Sequence, residues 1–485
     1  MFESDFLTRA NTQNYRAQIE RAIEALLGAL PAQAYSGKSA PELAALVPEQ
    51  ILPAHPSAET WKHLENFIAN SLSLTNPNTI AHLHSPPLLA SLAAEVVISA
   101  LNQSMDSFDQ GPPATMLESA MCDWLCRTIG FGAEAGAVFT SGGTQSNFMG
   151  LLLARDACIE KRWNRRVQQE GLPADAHRLR FFCSEIAHFS VEKSTYQLGL
   201  ESNAVVKIPV DDTFRMDVGA LQREIEKAQR ENLIVAAIVA TAGTTDFGSI
   251  DPLGRIAQAA HNADAWLHID AAYGSAMLLS EKHRSLLDGL ALADSVSVDF
   301  HKKFWQSISC AAFALRDARE FRHLEVHADY LNPESHDTEG IPNLVNRSLA
   351  TTRRWDALKL WLTFQLIGRE TLGAMVDQTL ELAAHAAHRI RQSPQLELLH
   401  EPQLGCVVFR YIPANAGADS DAINRQIRDQ MFQRGEAVLG HTRVRGRQCL
   451  KFTCVNPMTT EAQLDDLIAR IVSEGNRLEA LVPRP

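Results

Sequence analysis

Residues 293–302 read ADSVSVDFHK. The alternating and β-branched residues at 295–298 predict a short, buried β-strand that leads into a histidine and a lysine. Because burial disfavours the charged form of a lysine, Lys302 must be paired, exposed by a turn or used covalently. The covalent use is a Schiff base with an aldehyde cofactor. A solvated surface lysine is the alternative interpretation.

Short apolar runs alternate with helical segments between about residues 80 and 365. This pattern predicts an α/β fold with a mostly parallel sheet that carries helices on both faces. The predicted strands are 137–139, 179–183, 204–208, 233–240, 265–269 and 295–298, with a returning strand at 310–315. Ligands bind at the carboxyl ends of parallel strands, so the residues after each strand are candidate site residues.

The first strand is followed by TSGGTQSN at residues 140–147, which leads into a helix. Gly143 and its preceding glycine let backbone amides approach an anion, the hydroxyl of Thr144 adds a donor, and the helix N-terminus adds partial positive charge. These features fit a phosphate group. A capped, glycine-rich turn is the alternative interpretation. The stretch is not a Walker loop, because no Gly-Lys-Ser/Thr follows.

Polar residues also follow three later strands. His188 would lie flat against an aromatic ligand or be solvated, and the hydroxyl of Thr244 could reach the same crevice. Asp270 closes an apolar run, and a buried aspartate needs a cation or donors; a protonated pyridine nitrogen would be such a partner. Together with Lys302, these groups are what pyridoxal 5'-phosphate (PLP) requires.

The motifs occur in the order Gly-Gly-Thr, His188, DAAYG at 270–274 and ADSVSVDFHK. This arrangement resembles the group II PLP-dependent amino-acid decarboxylases over nearly the whole chain. The stretches LNP at 331–333, IPNLV at 341–345 and TTRRWDALKLW at 351–361 are most similar to the bacterial diamino-acid branch. That branch includes 2,4-diaminobutyrate decarboxylases and the lysine decarboxylases of hydroxamate siderophore pathways.

The resemblance implies PLP fold type I, which is aspartate-aminotransferase-like, and a role for each motif residue. Lys302 would carry the cofactor, Asp270 would keep the ring nitrogen protonated, and His188 would stack on the ring; these are the predicted catalytic residues. The predicted cofactor contacts are Gly143, Thr144, His188, Thr244, Asp270, Ala272, His301 and Lys302.

One departure from the family concerns the group that returns a proton to the α-carbon. Glutamate and aromatic-amino-acid decarboxylases place a tyrosine in a mobile loop, whereas the matching residues 334–345 contain none and Tyr330 lies just before them. The candidates are His188, His336 and a water molecule, and we favour His188.

The resemblance also indicates substrate contacts. Asp106 and Asp109 stand where aromatic decarboxylases look apolar, and they would pair with a side-chain ammonium or cap the following helix. Lys451 would stand where glutamate decarboxylases carry an arginine for the α-carboxylate, and Arg353 is the second candidate for that role. Either could equally be a solvated cation.

We therefore predict a PLP-dependent carboxy-lyase that acts on an L-diamino acid. Conversion of L-2,4-diaminobutyrate to 1,3-diaminopropane is preferred over conversion of L-lysine to cadaverine for siderophore synthesis, and over glutamate or aromatic substrates. Another fold type I reaction, such as transamination or carbon–sulfur cleavage, is an alternative. A non-catalytic binding protein with the PLP fold is the alternative from a different class.

Composition and charge exclude other classes. A formal net charge of −12 argues against non-specific nucleic-acid binding. The eight cysteines have no zinc-like spacing, so we expect no metal site and reduced thiols in a cytoplasmic protein. We expect neither a secretory signal nor a membrane span.

We expect three parts in the chain: an N-terminal helical arm at 1–78, a large PLP-binding domain at 79–365 and a small C-terminal α+β domain at 366–485. The resemblance implies a homodimer in which the arms are exchanged and the active site forms at the interface.

Overall fold

The computed structural model describes residues 3–328, 331–333, 336 and 339–483. The α-helices are α1 Thr12–Gly28, α2 Ala40–Ala44, α3 Thr60–Ala69, α4 Leu89–Leu101, α5 Pro112–Ile129, α6 Gly143–Trp163, α7 Val167–Glu170, α8 Ser190–Gln197, α9 Val218–Arg230, α10 Leu253–Asn262, α11 Ala357–Ile367, α12 Arg369–Gln392, α13 Ser420–Gln433 and α14 Glu461–Glu479. The β-strands are β1 Gly136–Thr140, β2 Leu179–Ser184, β3 Val205–Ile208, β4 Ile234–Thr241, β5 Trp266–Asp270, β6 Ser295–Asp299, β7 Ala311–Leu315, β8 Leu396–Leu398, β9 Cys406–Tyr411, β10 Gly440–Val444 and β11 Arg447–Thr453. None of the helices in these described ranges is both long and apolar enough to cross a membrane.

Seven strands form the larger sheet, in the order β1-β7-β6-β5-β4-β2-β3. The pairs from β3 to β6 are parallel, and β7 is antiparallel to both β6 and β1. Six of the seven strands therefore run in the same direction, and the predicted α/β fold with a mostly parallel sheet is confirmed. The carboxyl ends of those six strands lie at one edge of the sheet.

Strands β4 and β6, on either side of the middle strand β5, are buried along their whole length, which suits their apolar and β-branched residues. Helix α6 crosses the sheet closely at Gly150. A Cβ at this position would lie 2.5 Å from Nδ1 of His268 in β5, so glycine is required for the close approach. The N-terminus of α6 is thereby fixed beside the carboxyl edge of the sheet.

The chain divides into two compact units. The first, Leu83–Glu381 with His400–Cys406, contains the seven-stranded sheet. The second consists of Met1–His82, Leu382–Leu399 and Val407–Pro485, and it contains β10, β11, β8 and nearly all of β9. The boundaries predicted from the sequence, after residues 78 and 365, stay predictions.

The second unit has its own apolar core. Buried side chains of α13, α14 and the four-stranded sheet, among them Ile427, Ile471, Phe409 and Phe452, form one cluster. Helix α14 begins with a capping box at Thr460, whose side chain accepts from the backbone N–H of the third helical residue. These features define a small α+β unit.

Candidate active site

A cavity of about 290 Å³ lies at the carboxyl edge of the seven-stranded sheet. Residues at or after the ends of β1, β2, β4, β5 and β6 contribute to its wall, so five strands build one site. The lining residues are Ser141, Gly142, Gly143, Thr144, Gln145, Asn147, His188, Thr241, Gly243, Thr245, Asp270, Ala272, Tyr273, Asp299, His301 and Lys302. All of them belong to the first unit.

Seven of the eight predicted cofactor contacts line this cavity: Gly143, Thr144, His188, Asp270, Ala272, His301 and Lys302. The eighth, Thr244, does not line it. Thr244 is buried, and its Oγ1 lies 2.7 Å from Oγ of Ser249, while its neighbours Gly243 and Thr245 face the cavity instead. A contact between Thr244 and a cofactor stays a prediction.

Lys302 reaches the cavity beside a second, unpredicted carboxylate. Its Nζ lies 3.0 Å from Oδ2 of Asp299, and Nε2 of His301 lies 3.6 Å from the same oxygen. Asp299 is only 3% exposed. Burial of a charged lysine is costly unless the charge is paired, and the carboxylate of Asp299 provides this partner for Lys302. The three-residue spacing between Asp299 and Lys302 at a strand end is the sequence signal that could have identified this partner.

Asp270 closes β5 with its side chain almost fully buried. Its Oδ1 accepts the backbone N–H of Ala272 at 3.1 Å, and its Oδ2 accepts Nδ2 of Asn147 at 2.7 Å. The two donors fix the orientation of this carboxylate. Asn147 was not among the predicted site residues.

His188 presents an uncharged aromatic ring to the cavity. Its Nδ1 accepts the backbone N–H of Ser190 at 3.3 Å and lies 2.8 Å from Oγ of the same residue. Burial lowers the pKa of His188, Asp270 raises it, Lys302 lowers it and Asp299 raises it. Because the net direction is downward, the imidazole is neutral at pH 7 and suits stacking on another aromatic ring.

The loop before α6 is shaped to receive an anion. Gly142 has φ 155° and ψ 171°, a conformation that is essentially restricted to glycine. The 21-residue helix α6 begins at Gly143 and directs its N-terminus at the cavity. A Cβ at Gly143 would lie 3.1 Å from Cβ of Ala272 and 3.3 Å from Oδ2 of Asp299, so only glycine leaves this space open.

This donor set fits PLP. The site combines an amine at Lys302, a buried carboxylate at Asp270, a flat neutral imidazole and a glycine-lined helix N-terminus within one cavity. These are groups that can bind, respectively, an aldehyde, a pyridinium nitrogen, an aromatic ring and a phosphate. Fold and site together define a PLP-dependent enzyme.

Comparison with known proteins identifies the family. Residues 45–412 match the model of the pyridoxal-dependent decarboxylase conserved domain. The chain belongs to this family, and it is a PLP-dependent carboxy-lyase.

The similarity to known relatives extends over most or nearly all of this chain. L-2,4-diaminobutyrate decarboxylase of Acinetobacter baumannii is 42% identical over 96% of this chain and 94% of the relative. L-2,4-diaminobutyrate decarboxylase of Rhizobium meliloti is 41% identical over 86% of this chain and 82% of the relative. A crystal structure of the glutamate decarboxylase domain of diaminobutyrate-pyruvate transaminase and L-2,4-diaminobutyrate decarboxylase from Vibrio parahaemolyticus superposes with a TM-score of 0.90 at 37% identity, covering 98% of this chain and 99% of the other.

The predicted substrate contacts lie elsewhere in the described chain. Asp109 is exposed and accepts from Oγ of Ser107 at 2.5 Å, whereas Asp106 is half-buried with no hydrogen-bond partner described for Oδ1. Neither residue lines the cavity. Lys451 is buried in β11 of the second unit. The roles of all three in substrate binding stay predictions.

His336, the other protein candidate for proton return, does not line the cavity. Nδ1 of His336 lies 3.0 Å from Oδ1 of Asn343. Tyr330 lies outside the described residues. Of the two protein candidates, His188 lines the cavity and His336 does not.

Arg353, the second candidate for the α-carboxylate, forms a buried ion pair. Its NH1 lies 2.6 Å from Oε1 of Glu118, a residue with no exposed surface. The same carboxylate oxygen accepts the backbone N–H of Phe139 at 3.1 Å. Burial raises the pKa of Glu118, and the attraction of Arg353 opposes that rise. The geometry indicates a structural pair that ties α5 to β1.

Replacement of Arg353 by methionine should therefore act on stability. It leaves a buried carboxylate without its cation, and we expect the free energy of unfolding, measured with urea, to fall by about 3–5 kcal/mol. The double variant Arg353→Met/Glu118→Gln removes both charges and should recover most of this loss. A stable single variant with a KM for the amino acid raised tenfold or more would contradict the structural role and support α-carboxylate binding.

Proposed function

We propose that this protein decarboxylates L-2,4-diaminobutyrate to 1,3-diaminopropane and carbon dioxide. The observation that carries the proposal is the 42% identity, over nearly the full length of both chains, to the decarboxylase of A. baumannii. The cavity supports it, because the chemical groups needed to hold PLP converge there. No observation favours lysine, glutamate or an aromatic amino acid as the substrate.

Each residue at the cavity has a proposed task. Bound PLP supplies a conjugated ring that accepts the electron pair released when the bond to the α-carboxylate breaks. Lys302 would hold the cofactor covalently between turnovers, and Asp270 would hold a proton at the pyridine nitrogen. His188 and Ala272 would lie on opposite faces of the ring and exclude water. The phosphate would rest on Gly143, Thr144 and the N-terminus of α6, with His301 and Thr244 nearby.

The substrate side chain needs an anionic partner, because its ammonium group is charged at pH 7. Asp106 and Asp109 keep their proposed role as this partner, and Lys451 keeps its proposed role toward the α-carboxylate. Arg353 stays the second candidate for that role, in competition with the structural role that its ion pair with Glu118 supports. The stability test of Arg353 above distinguishes the two roles of that residue.

A panel of amino acids tests the proposed substrate. Purified protein with added PLP is incubated with L-2,4-diaminobutyrate, ornithine, lysine, glutamate and aromatic amino acids, and the amine formed is identified by mass spectrometry. We expect the highest kcat/KM with 2,4-diaminobutyrate and no keto acid product. Preference for lysine would instead support cadaverine production for siderophore synthesis. The absence of both product and visible cofactor absorbance would support a non-catalytic binding protein.

His188 is the proposed group that returns a proton to the α-carbon. We expect His188→Gln to lose about 10²–10⁴-fold in amine formation while PLP remains bound. Only the imidazolium form can give up a proton easily, so activity should decline as pH rises above the lowered pKa of His188. Near-normal amine formation by the PLP-bound variant would assign the step to another group, such as water or His336.

We also propose a cytoplasmic homodimer with exchanged N-terminal helices and an active site at the interface. The apolar side chains exposed on α1 and α4, among them Leu27 at 64% and Leu89 at 84%, support an interface with another copy. The eight cysteines are all free thiols, which supports a reducing compartment. Light scattering during gel filtration tests the dimer, and a fully active monomer would exclude it.

A further inference from the structure

A buried chain of hydrogen bonds leads from the first residue of β5 to α6. Nε1 of Trp266 donates to Oγ of Ser295 at 2.8 Å, and this hydroxyl lies 2.8 Å from Nδ1 of His268. Nε2 of His268 lies 3.0 Å from Oδ1 of Asn147. His268 and Ser295 have no exposed surface, and Asn147 has 1%. Polar groups buried this deeply are costly unless they are paired.

From Asn147 the hydrogen bonds continue to two of the proposed catalytic residues, Asp270 and His188. Nδ2 of Asn147 donates to Oδ2 of Asp270 at 2.7 Å and to Oγ of Ser190 at 2.9 Å. Oγ of Ser190 lies 2.8 Å from Nδ1 of His188. A second donor, Oγ of Ser297, holds Oδ1 of Asn147 at 2.8 Å. One amide thus contacts the carboxylate directly and the imidazole through one hydroxyl.

The hydrogen positions on the β5 side follow from the capacity of each group. An amide oxygen can only accept, so Nε2 of His268 must donate to Oδ1 of Asn147. Nδ1 of the neutral ring then accepts from the hydroxyl of Ser295, which itself accepts from the indole N–H of Trp266. His268 then carries its proton on Nε2 and donates to Asn147. Burial lowers the pKa of His268 to about 4, so the ring is neutral, as this assignment requires. The other tautomer would place a lone pair against Oδ1 of Asn147.

The hydrogen positions on the cavity side are equally constrained. A carboxylate can only accept, so Asn147 must direct Nδ2 and not Oδ1 at Asp270. Ser190 accepts the second hydrogen of Nδ2 and donates its own to Nδ1 of His188. The backbone N–H of Ser190 donates to the same ring nitrogen. The single proton of neutral His188 is therefore on Nε2.

We propose that Asn147 is a positioning residue that sets both Asp270 and His188. It holds Asp270 in one orientation as a hydrogen-bond acceptor, and through Ser190 it holds His188 in the tautomer that carries its proton on Nε2. This inference deepens the proposed function and rests on it for the roles of Asp270 and His188. His188 must then take up a second proton before it can give one to the α-carbon.

The substitution Asn147→Asp tests this role because it keeps the shape of the side chain. It retains an acceptor for His268 and Ser297 but loses both donated hydrogen bonds, and it adds a carboxylate next to Asp270. We expect the dissociation constant for PLP, measured by titrating PLP-free full-length protein, to rise at least about tenfold. The pKa of His268, which would face the new carboxylate, should rise by at least about one pH unit.

The protonation of His188 provides a readout that is independent of activity. Hydrogen–deuterium exchange at the imidazole C2 carbon, followed by mass spectrometry against pH, gives the pKa of each histidine in the full chain. In Asn147→Asp, the hydroxyl of Ser190 can donate to the new carboxylate and accept from Nδ1 of His188. The added negative charge also favours the imidazolium, so the pKa of His188 should rise although the backbone N–H of Ser190 still faces Nδ1. The other charged groups that act on His188 are Asp270, Asp299 and Lys302. None of them is substituted, and among them Asp270 alone loses a hydrogen bond from residue 147.

Two further variants separate the branches. Ser190→Ala breaks only the link to His188, so it should change the pKa of His188 and leave that of His268 in place. Ser146→Ala is the matched control, because this buried neighbour on α6 bonds to Thr140 and to the carbonyl of Ala312, outside the network. It should change neither pKa nor the affinity for PLP.

Unchanged PLP affinity and unchanged histidine pKa values in Asn147→Asp would overturn the proposal. If Asn147→Asp does not fold, an unchanged pKa of His188 in Ser190→Ala overturns it instead. These results do not depend on the amino-acid substrate. A protein that binds PLP but fails to decarboxylate diaminobutyrate would refute the proposed function and leave this test valid.

Discussion

Replacement of Lys302 by alanine is expected to lower amine formation by more than about 10³-fold, because the covalent attachment of the cofactor is lost. Among the described residues that line the cavity, Lys302 alone carries a side-chain amine. Its Nζ is held at the site by Asp299, 3.0 Å away. No other lining residue can form a covalent bond of this kind with an aldehyde.

Borohydride reduction measures the covalent link directly. Treatment of the PLP-bound protein should fix the cofactor to the peptide that contains Lys302, and Lys302→Ala should show no label there. Lys303→Met is the control, because the adjacent lysine is fully buried and does not line the cavity. This control should retain the label at Lys302.

A second variant separates chemistry from stability. Lys302→Ala leaves the buried carboxylate of Asp299 without its lysine, so a loss of folding could be mistaken for a loss of catalysis. Lys302→Arg keeps a cation beside Asp299 but cannot form the same link, and it should be stable and equally inactive. Substantial activity in Lys302→Arg, or labelling of Lys302→Ala at another residue, would show that the cofactor is held elsewhere.

The strands of the large sheet could be predicted from the sequence. Each predicted strand of the large sheet overlaps an observed one, because apolar, β-branched runs such as the one at β4 can be stable only when both faces are covered. The returning strand was also correct, as β7, which is antiparallel to β6. Residues that follow parallel strands meet at one edge of the sheet, so Gly143, His188, Asp270 and Lys302 were predicted to lie together. All four line the same cavity.

Contacts that join distant positions could not be predicted in this way. Asn147 lies 123 positions from Asp270, and only the crossing of α6 over β5 brings the two side chains together. Thr244 follows the right strand, but its hydroxyl turns to Ser249. Strand order indicates which loops meet and gives no side-chain direction within a loop. For the same reason Asp106 and Asp109 could be matched to the family by position without their orientation being known.

Asp270→Asn is expected to lower kcat by about 10²–10³-fold, which corresponds to about 3–4 kcal/mol of lost stabilisation. Asparagine has nearly the shape of aspartate, and its oxygen can still accept the backbone N–H of Ala272. It has no negative charge, however, and cannot hold a proton at the pyridine nitrogen. Its amide nitrogen would also face Nδ2 of Asn147, so two hydrogen-bond donors would meet without an acceptor.

The measurement compares kcat with the absorbance of the bound cofactor. If Asp270 acts on the pyridine nitrogen, kcat should fall even at saturating PLP, and the visible spectrum should change its dependence on pH. A variant that keeps more than about a tenth of wild-type kcat at saturating PLP would show that the carboxylate is not needed for electron withdrawal.

Asp251→Asn is the matched control, because it removes a similar buried charge from a residue that does not line the cavity. Asp251 is 2% exposed and accepts the backbone N–H groups of Met216 and Thr241 at 2.7 and 2.8 Å. It belongs to the same unit as Asp270 but does not line the cavity. Its loss should therefore lower the free energy of unfolding and leave kcat within about twofold. If both variants lost kcat equally, the effect of Asp270 would be one of folding, whereas a loss confined to Asp270→Asn would assign the charge to the reaction itself.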